Sequence, residues 1–346
     1  MVIEPTPRPV RRPRPVAPVR VDPSGLAGPT PGRARGPDWR RTSQGLYVPA
    51  EVELTTEQRI VEAAAVLGVD EAVTGWAALR WVGAAWFDGT AGATTLRDVP
   101  LLARRDRAAP PGAAVSQEFL HPDEVTTVDG VPVTRDVRSV VHEMRFARTL
   151  GDAVVALDMA CYSDLVDLAE VATYLDALGP VTGIQQARDA LALGDENSWS
   201  PQETKMRGVW VRRTDLEHPL CNRPVFSLDG RHIGTPDLVA PVLGLVGQYN
   251  GSDHLSLAGA AADAKKDAAY RDLGLETVTM FVTDWSDLDD FTGRLRAAAR
   301  RAAARSGTPR WTLDEPAWWT PTHTVGLRRA LREHDRRLLL RYRRTA

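Results

Sequence analysis

The residues with the clearest chemical potential fall between positions 203 and 267. Glu203 lies in the first turn of an expected helix, and Asp237 closes an apolar run. Gln248 and Asn250 flank Tyr249, His254 follows shortly after, and Lys265, Lys266 and Asp267 sit together in a helical stretch. An acid at a strand end, a polar pair in the next strand and a nearby His or Lys suit metal-assisted phosphodiester hydrolysis. That chemistry needs a divalent ion held by carboxylates beside the scissile phosphate, and a His or Lys to position water or stabilise developing charge. Glu203, Asp237, Gln248, His254 and Lys266 form the candidate catalytic set, with Asp237 and Asn250 as candidate metal ligands. Mg²⁺ is the cofactor expected if the site is active. Lys265, with Arg300 and Arg301 further on, is the candidate nucleic-acid contact.

The elements that must position these residues are legible in outline. The segment 200–207, SPQETKMR, has a Ser cap, Pro at the first helical position and Glu203 in the first turn. Segments 225–228 and 232–238 read as a hairpin around Asp229-Gly230 that ends on Asp237. A third strand, 243–249, closes at Asn250-Gly251, and a helix over 258–273 leads to a strand over 275–282. The order from residue 197 to about 290 is helix, three strands, helix, strand, a mixed sheet flanked by helices.

Upstream, ten prolines before Trp39 among arginines and glycines make residues 1–44 read as a disordered tail. Order is expected to begin with a strand at 45–49. Thr55 or Thr56 then caps a helix that Gly68 stops, and Thr74 caps a second, TGWAALRWVG. Two short helices joined by a turn suggest helix-turn-helix, with strands near 94–104 and 131–134 as a wing or small sheet. Trp76, Trp81 and Trp86 read as core. Helices over 136–150, 152–163 and 167–177 complete a winged-helix-like and helical region over 45–195. The pattern resets at LGDENSW, which opens a domain over 196–306, and residues 307–346 form a basic extension.

Length and composition fit two α/β domains with a real core: 346 residues, 43% apolar and 25% charged. The net charge of −2 hides segregation. Residues 1–45 carry nine arginines against three acids, and 291–346 carry fourteen basic residues against four acids. Residues 46–199 carry eleven basic residues against twenty-four acids. Basic ends can hold a polyanion or act as solvated arms. Cys161 and Cys221 are far apart and show no zinc spacing. No apolar leader and no long uncharged apolar run occurs, so neither secretion nor membrane spanning is expected, and the cytoplasm is the expected location.

The segments LYVPAEVELTTEQRIVEAAA, VTGWAALRWVGAAWFDG, ENSWSPQETKMR, PLCNRPVF, DGRHIGTPDL and QYNGSDHL resemble a family of actinobacterial proteins. In that family a region similar to AbiEi-type antitoxins of toxin–antitoxin systems precedes a domain similar to the very-short-patch-repair endonuclease. The resemblance spans roughly residues 45–300. It implies the PD-(D/E)XK, restriction-endonuclease-like fold, with Asp237 at the invariant acid, His254 at the His position and Glu203 as the acid of the first helix. The family pattern Glu-Tyr-Asp-Gly is Gln248-Tyr249-Asn250-Gly251 here. Amides offer a carbonyl oxygen to a metal but no charge, and a missing carboxylate removes a candidate general base.

Each feature also has a plainer reading. Asp237 could be a turn acid, Glu203 is favourable at any helix start, and Lys265 and Lys266 could be solvated. Gln248 and Asn250 could close a turn. The leading expectation is a nucleic-acid-associated, antitoxin-like regulator with a degenerate nuclease domain and DNA as partner. The alternatives are an active Mg²⁺-dependent endonuclease using Asp237 and His254, and a protein-binding antitoxin module facing a cognate toxin. Between Leu54 and Gly83 only Arg59 and Arg80 are basic, against four acids, which favours protein over DNA as the first region's partner.

Overall fold

The structure is a computed structural model that describes residues 15–92, 95–104, 108–251 and 257–344, with backbone alone over 257–264 and at 342 and 344. It is a mixed α/β protein with several mixed sheets. Two compact units divide the chain: Met1–Arg148 with Ala169–Arg188, and Thr149–Leu168 with Asp189–Ala346. Among the described residues no helix is long and apolar enough to cross a membrane.

The first unit opens with strands β1 (Val19–Arg20), β2 (Trp39–Ser43) and β3 (Leu46–Pro49), paired in the order β1-β3-β2. Composition predicts a disordered tail to residue 44. From residue 15 the chain instead enters this small sheet. The Gln58 side chain satisfies both the N–H and the C=O of Val16, and Arg40 pairs with Glu62 at 2.6 Å. Those partners repay an ordering entropy that Pro/Arg composition alone does not. Residues 1–14 lie outside the described residues.

Helix α1 (Thr56–Ala64) starts at Thr55, whose hydroxyl accepts the Gln58 N–H. Strand β4 (Ala72–Val73) then leads into α2 (Gly75–Trp81). After β5 (Thr90–Ala91) and β6 (Thr95–Leu96) come β7 (Val99–Leu102), β8 (Ala113–Ser116), β9 (Val125–Val128), β10 (Val131–Thr134) and α3 (Asp136–Phe146). The main sheet runs β8-β7-β4-β10-β9. Trp76 and Trp81 are core, as their spacing predicts. Gly75 has φ +55, and any side chain there would meet the Glu143 carboxylate that accepts the Trp76 N–H.

The three helices predicted downstream divide between the two units. Helix α4 (Leu150–Tyr162) belongs to the second unit, whereas α5 (Leu168–Ala177) lies in the first apart from its first residue. Tyr174 of α5 donates to Glu124, and Arg145 of α3 donates to Thr182 O at 2.7 Å, which ties residues 169–188 to the first unit. Helix α6 (Ile184–Leu193), which the sequence reading lacks, returns the chain to the second unit.

The second unit continues with α7 (Pro201–Arg213), β11 (Leu220–Cys221), β12 (Val225–Ser227), β13 (His232–Gly234), β14 (Leu238–Ala240), β15 (Leu245–Asn250), α8 (Leu257–Asp272), β16 (Glu276–Phe281) and α9 (Leu288–Ala303). It ends with β17 (Trp311–Thr312), α10 (Val325–Arg329) and α11 (Glu333–Leu339). The main sheet runs β11-β14-β15-β16, antiparallel except for β15 and β16, which are parallel and joined through α8. A parallel pair needs such a crossover. Leu238, Met206, Trp210, Phe291 and Leu295 form the core on the α7 and α9 face. Val239, Val246 and Tyr270 pack with Val225 and Trp311 on the α8 face.

Two further expectations are corrected. Residues 307–346 are not a separate extension, because β17 pairs with β12 and α10 inserts Arg328 into the second unit's interior. The predicted hairpin 225–228/232–238 is split: β12 and β13 join β17 in their own sheet, and β14 begins only after Asp237. Pro236, which has no N–H to donate, stands between β13 and β14, where the predicted continuous strand is interrupted.

Candidate active site

The candidate residues gather where β14 begins and β15 ends. Ser200 caps α7 and accepts the Glu203 N–H, and the Glu203 carboxylate folds back on the same turn. It accepts from the Ser200 hydroxyl at 2.9 Å, the Trp199 N–H at 2.9 Å and the Asn222 side chain at 2.7 Å. Asn222, in the left-handed region at φ 45, also donates its N–H to Asp237 O at 3.0 Å, linking Glu203 to the start of β14. The Asn197 and Asn222 side chains each donate to the other's backbone carbonyl, which fixes this link. Asn tolerates positive φ, yet neither asparagine stands out in the sequence as a site residue. Both lie inside the motifs ENSW and PLCN.

Asp237 accepts the Tyr249 N–H through Oδ2 at 2.6 Å. Gln248 and Asn250 sit on the same strand, opposite Thr279 and Phe281 of β16. Side chains alternate along a strand. Gly247 faces Trp210 and Val246 packs with Tyr270, so Gln248 shares the α8 face with Val246. Lys266 Nζ on α8 donates to Thr235 O at 3.1 Å, two residues before Asp237. The structure therefore brings Glu203, Asp237, Gln248 and Lys266 to one end of the sheet. His254 lies outside the described residues, and Lys265 is exposed on the same helix as Lys266.

Arg300 and Arg301, the other two candidate nucleic-acid contacts, do not join them. Arg301, with Arg305, pairs with Glu276, the first residue of β16, whereas Gln248 and Asn250 lie alongside its far end. Five strand steps of about 3.3 Å separate the two ends of β16, about 17 Å. Helix α9 runs back along the sheet and so carries its last turn away from Asp237.

Burial, then the Asp237 charge, pushes the Glu203 carboxyl up to about 7 from 4.5, against the Asn222, Trp199 and Ser200 donors that pull it down. A raised acid makes the folded state bind its proton more tightly than the unfolded state. The stability it confers is complete below pH 4.5 and is lost as pH rises to about 7. Glu203→Gln is expected to flatten this decline, which is on the order of 3 kcal/mol at most. Urea unfolding midpoints between pH 4 and 8 check it, and parallel profiles for the two proteins would refute it.

Three buried polar atoms in this region have no hydrogen-bond partner among the described residues: Asn222 Oδ1, Gln248 Nε2 and the Tyr270 hydroxyl. Each such group costs about 1–3 kcal/mol of desolvation. Burial, then the Asp237 and Asp267 charges, holds the Tyr270 hydroxyl above its ordinary range, so it is a donor at neutral pH. Sequence reasoning missed Tyr270, whose helical spacing gives no sign of its contact with Gly234.

Among the described residues the donor set does not fit the Mg²⁺ ion that the family resemblance implies. A hard cation wants several anionic oxygens. Both Glu203 oxygens are taken by N–H or O–H donors, one Asp237 oxygen is taken by the Tyr249 N–H, and the other two positions are neutral amides. Among the described residues no three His, Cys, Asp or Glu side chains come together as a cation-holding group. No family model, curated protein or solved structure matches this chain.

Proposed function

We propose that this protein is a nucleic-acid-associated regulator, with an antitoxin-like first unit and a second unit of restriction-endonuclease-like, PD-(D/E)XK type that holds DNA and has lost most of its capacity to cut it. One juxtaposition carries the reading. Glu203 from the first turn of α7 and Asp237 from the start of β14 share an edge of a mixed sheet with a β15–α8–β16 crossover, and the amides Gln248 and Asn250 stand on the adjacent strand. This juxtaposition supports reading the region as a phosphodiester-cleaving site with its negative charge halved.

For the first unit, winged-helix-like in this reading, a protein partner such as a cognate toxin is the better fit. Arg59 is buried and donates to Gly89 O, while Arg80 pairs with Glu57 at 2.8 Å. The two basic residues of its helical pair therefore serve the interior, and the basic footprint of a DNA-reading helix is missing there.

Fluorescence anisotropy of a labelled DNA duplex titrated with the full chain in EDTA tests the reading. Binding is expected without a divalent ion, and log K is expected to fall with log salt at a slope of about −0.9 for each phosphate neutralised. Absence of binding at every salt concentration would favour the protein-binding module without DNA contact.

A further inference from the structure

A partly open cavity of about 240 Å³ lies within the second unit, between α4, α7 and the start of α9. Its walls are apolar: Val154 of α4, Leu193 of α6, Val209 and Val211 of α7, and Trp285 and Leu288 beside α9. Two cations of α7, Lys205 and Arg212, border it, and neither has a hydrogen-bond or ion-pair partner among the described residues. The Arg212 guanidinium lies over two glycines. A side chain's first carbon at Gly208 would come within 3.2 Å of its Nη2, and one at Gly151, in the first turn of α4, within 3.7 Å of both Nη atoms. A cation is favoured in the last turn of α7, which accounts for an arginine at 212. It does not account for a guanidinium folded back over Gly208 onto α4, whose positive end disfavours a cation. The Thr149 hydroxyl caps only the Asp152 N–H there, and the N–H groups of Leu150 and Gly151 have no partner among the described residues. Arg207 at the cavity is neutralised by Asp158 at 2.8 Å. Asp152, whose Oδ2 accepts the Thr149 hydroxyl at 2.8 Å, offsets one of the two unpaired cations and leaves one net positive charge.

We propose that this cavity binds a small organic monocarboxylate, with the carboxylate paired to Arg212 and an apolar body held against Trp285 and Leu288, while Lys205 adds attraction. Its residues are separate from Glu203, Asp237 and Gln248, so the site does not depend on the nucleic-acid reading. The planar fork of arginine matches a carboxylate with two parallel hydrogen bonds, and an anion beside the first turn of α4 turns an unfavourable contact of like charges into a favourable one. One net positive charge suits a monoanion better than a phosphate dianion. Apolar walls disfavour a phosphodiester backbone, whose polar groups would be buried without partners. A volume below the roughly 300–1,000 Å³ of drug-sized sites restricts the body to a ring or a short chain.

Isothermal titration calorimetry of the full chain with 4-phenylbutyrate and with octanoate tests the site. The neutral 4-phenylbutyramide and the bodiless acid acetate serve as comparisons. Saturable one-to-one binding of at least one of the two longer acids is expected, with Kd of about 1 mM or tighter. The amide and acetate are each expected to bind at least about tenfold more weakly, and Arg212→Gln to weaken the acid by a similar factor. Lys205→Gln is expected to cost about threefold, as a charge acting without direct contact. Both side chains reach solvent, so these variants are expected to keep the thermal midpoint of the free protein. Gly151→Leu fills the space beside the guanidinium and is expected to abolish binding while keeping or raising that midpoint, because glycine is a poor helix former. No saturable heat with either longer acid overturns the site. Equal affinity for acid and amide removes the role given to the charge and overturns it as well. Undiminished binding of the acid by Arg212→Gln, or by Gly151→Leu, places the acid elsewhere and has the same consequence.

Discussion

Replacing Asp158 with alanine is expected to destabilise the second unit by about 3–5 kcal/mol, the usual cost of removing one partner from a buried ion pair. Asp158 is wholly buried in α4. Its Oδ2 accepts from Arg207 Nη2 at 2.8 Å and the Thr204 hydroxyl at 2.7 Å, and its Oδ1 accepts the Asp195 N–H at 2.9 Å. Burial opposes the Arg207 charge, and Asp158, then Cys221 and Asp195, outweigh it, so the guanidinium holds its proton more firmly than usual. Without Asp158 that cation would keep the Leu193 carbonyl and the Cys221 sulfur, and only the more distant Asp195 carboxylate at 3.7 Å as a counter-charge. Chemical denaturation followed by tryptophan fluorescence measures the loss. The double replacement Asp158→Leu, Arg207→Met is expected to cost less than Asp158→Ala alone, because no uncompensated charge remains. A loss below about 1 kcal/mol for Asp158→Ala would mean the pair is hydrated and not part of the core.

The same logic places three of the C-terminal arginines in the fold, where they do not act as free charges. Arg328 is fully buried, pairs with Asp164 at 2.6 Å and donates to the Cys161, Thr322 and Glu196 carbonyls. Arg336 pairs with Asp164 at 3.0 Å, and Arg343 donates to Tyr162 O. These groups close the C-terminal end of α4, where carbonyls lack intrahelical partners and cations are favoured. A block of fourteen basic residues against four acids reads as a solvated arm because composition does not reveal that Asp164, more than 160 positions earlier, is waiting for them.

What was legible in the sequence is what is local. The start of α7 follows from Ser200, Pro201 and Glu203, since capping is settled within one turn. The β15–α8–β16 order follows from apolar runs separated by a helical stretch, and each element is present. Glu203 and Asp237 are linked through Asn222, but Asp237 stands before β14 and does not end a hairpin, because Pro236 interrupts the predicted strand. What was not legible depends on distant partners. Helix α4 joins the second unit through an ion pair to a residue 49 positions later. Residues 15–44 gain order from Gln58 and Glu62. Tyr270 reads as one more residue beside Lys265 and Lys266 until Gly234 is placed against it.

The second large effect concerns chemistry. Converting Gln248→Glu and Asn250→Asp together adds two carboxylates beside Asp237, on the face that α8 covers. Each unit charge at about 4 Å from a divalent ion contributes several kcal/mol even at an effective dielectric near 20. A carboxylate also supplies the general base that an amide cannot, typically worth about 10²–10⁴ in rate. The most direct measurement is cleavage of supercoiled plasmid DNA by the wild-type chain and by the double variant, with Mg²⁺ and with EDTA. The expected result is an inert or barely active wild type and a variant that nicks DNA only with Mg²⁺, with the nicking abolished by a further Asp237→Ala. Cleavage by the wild-type chain that equals or exceeds the variant's, and that stops on chelation, would contradict the claim of a weakened site.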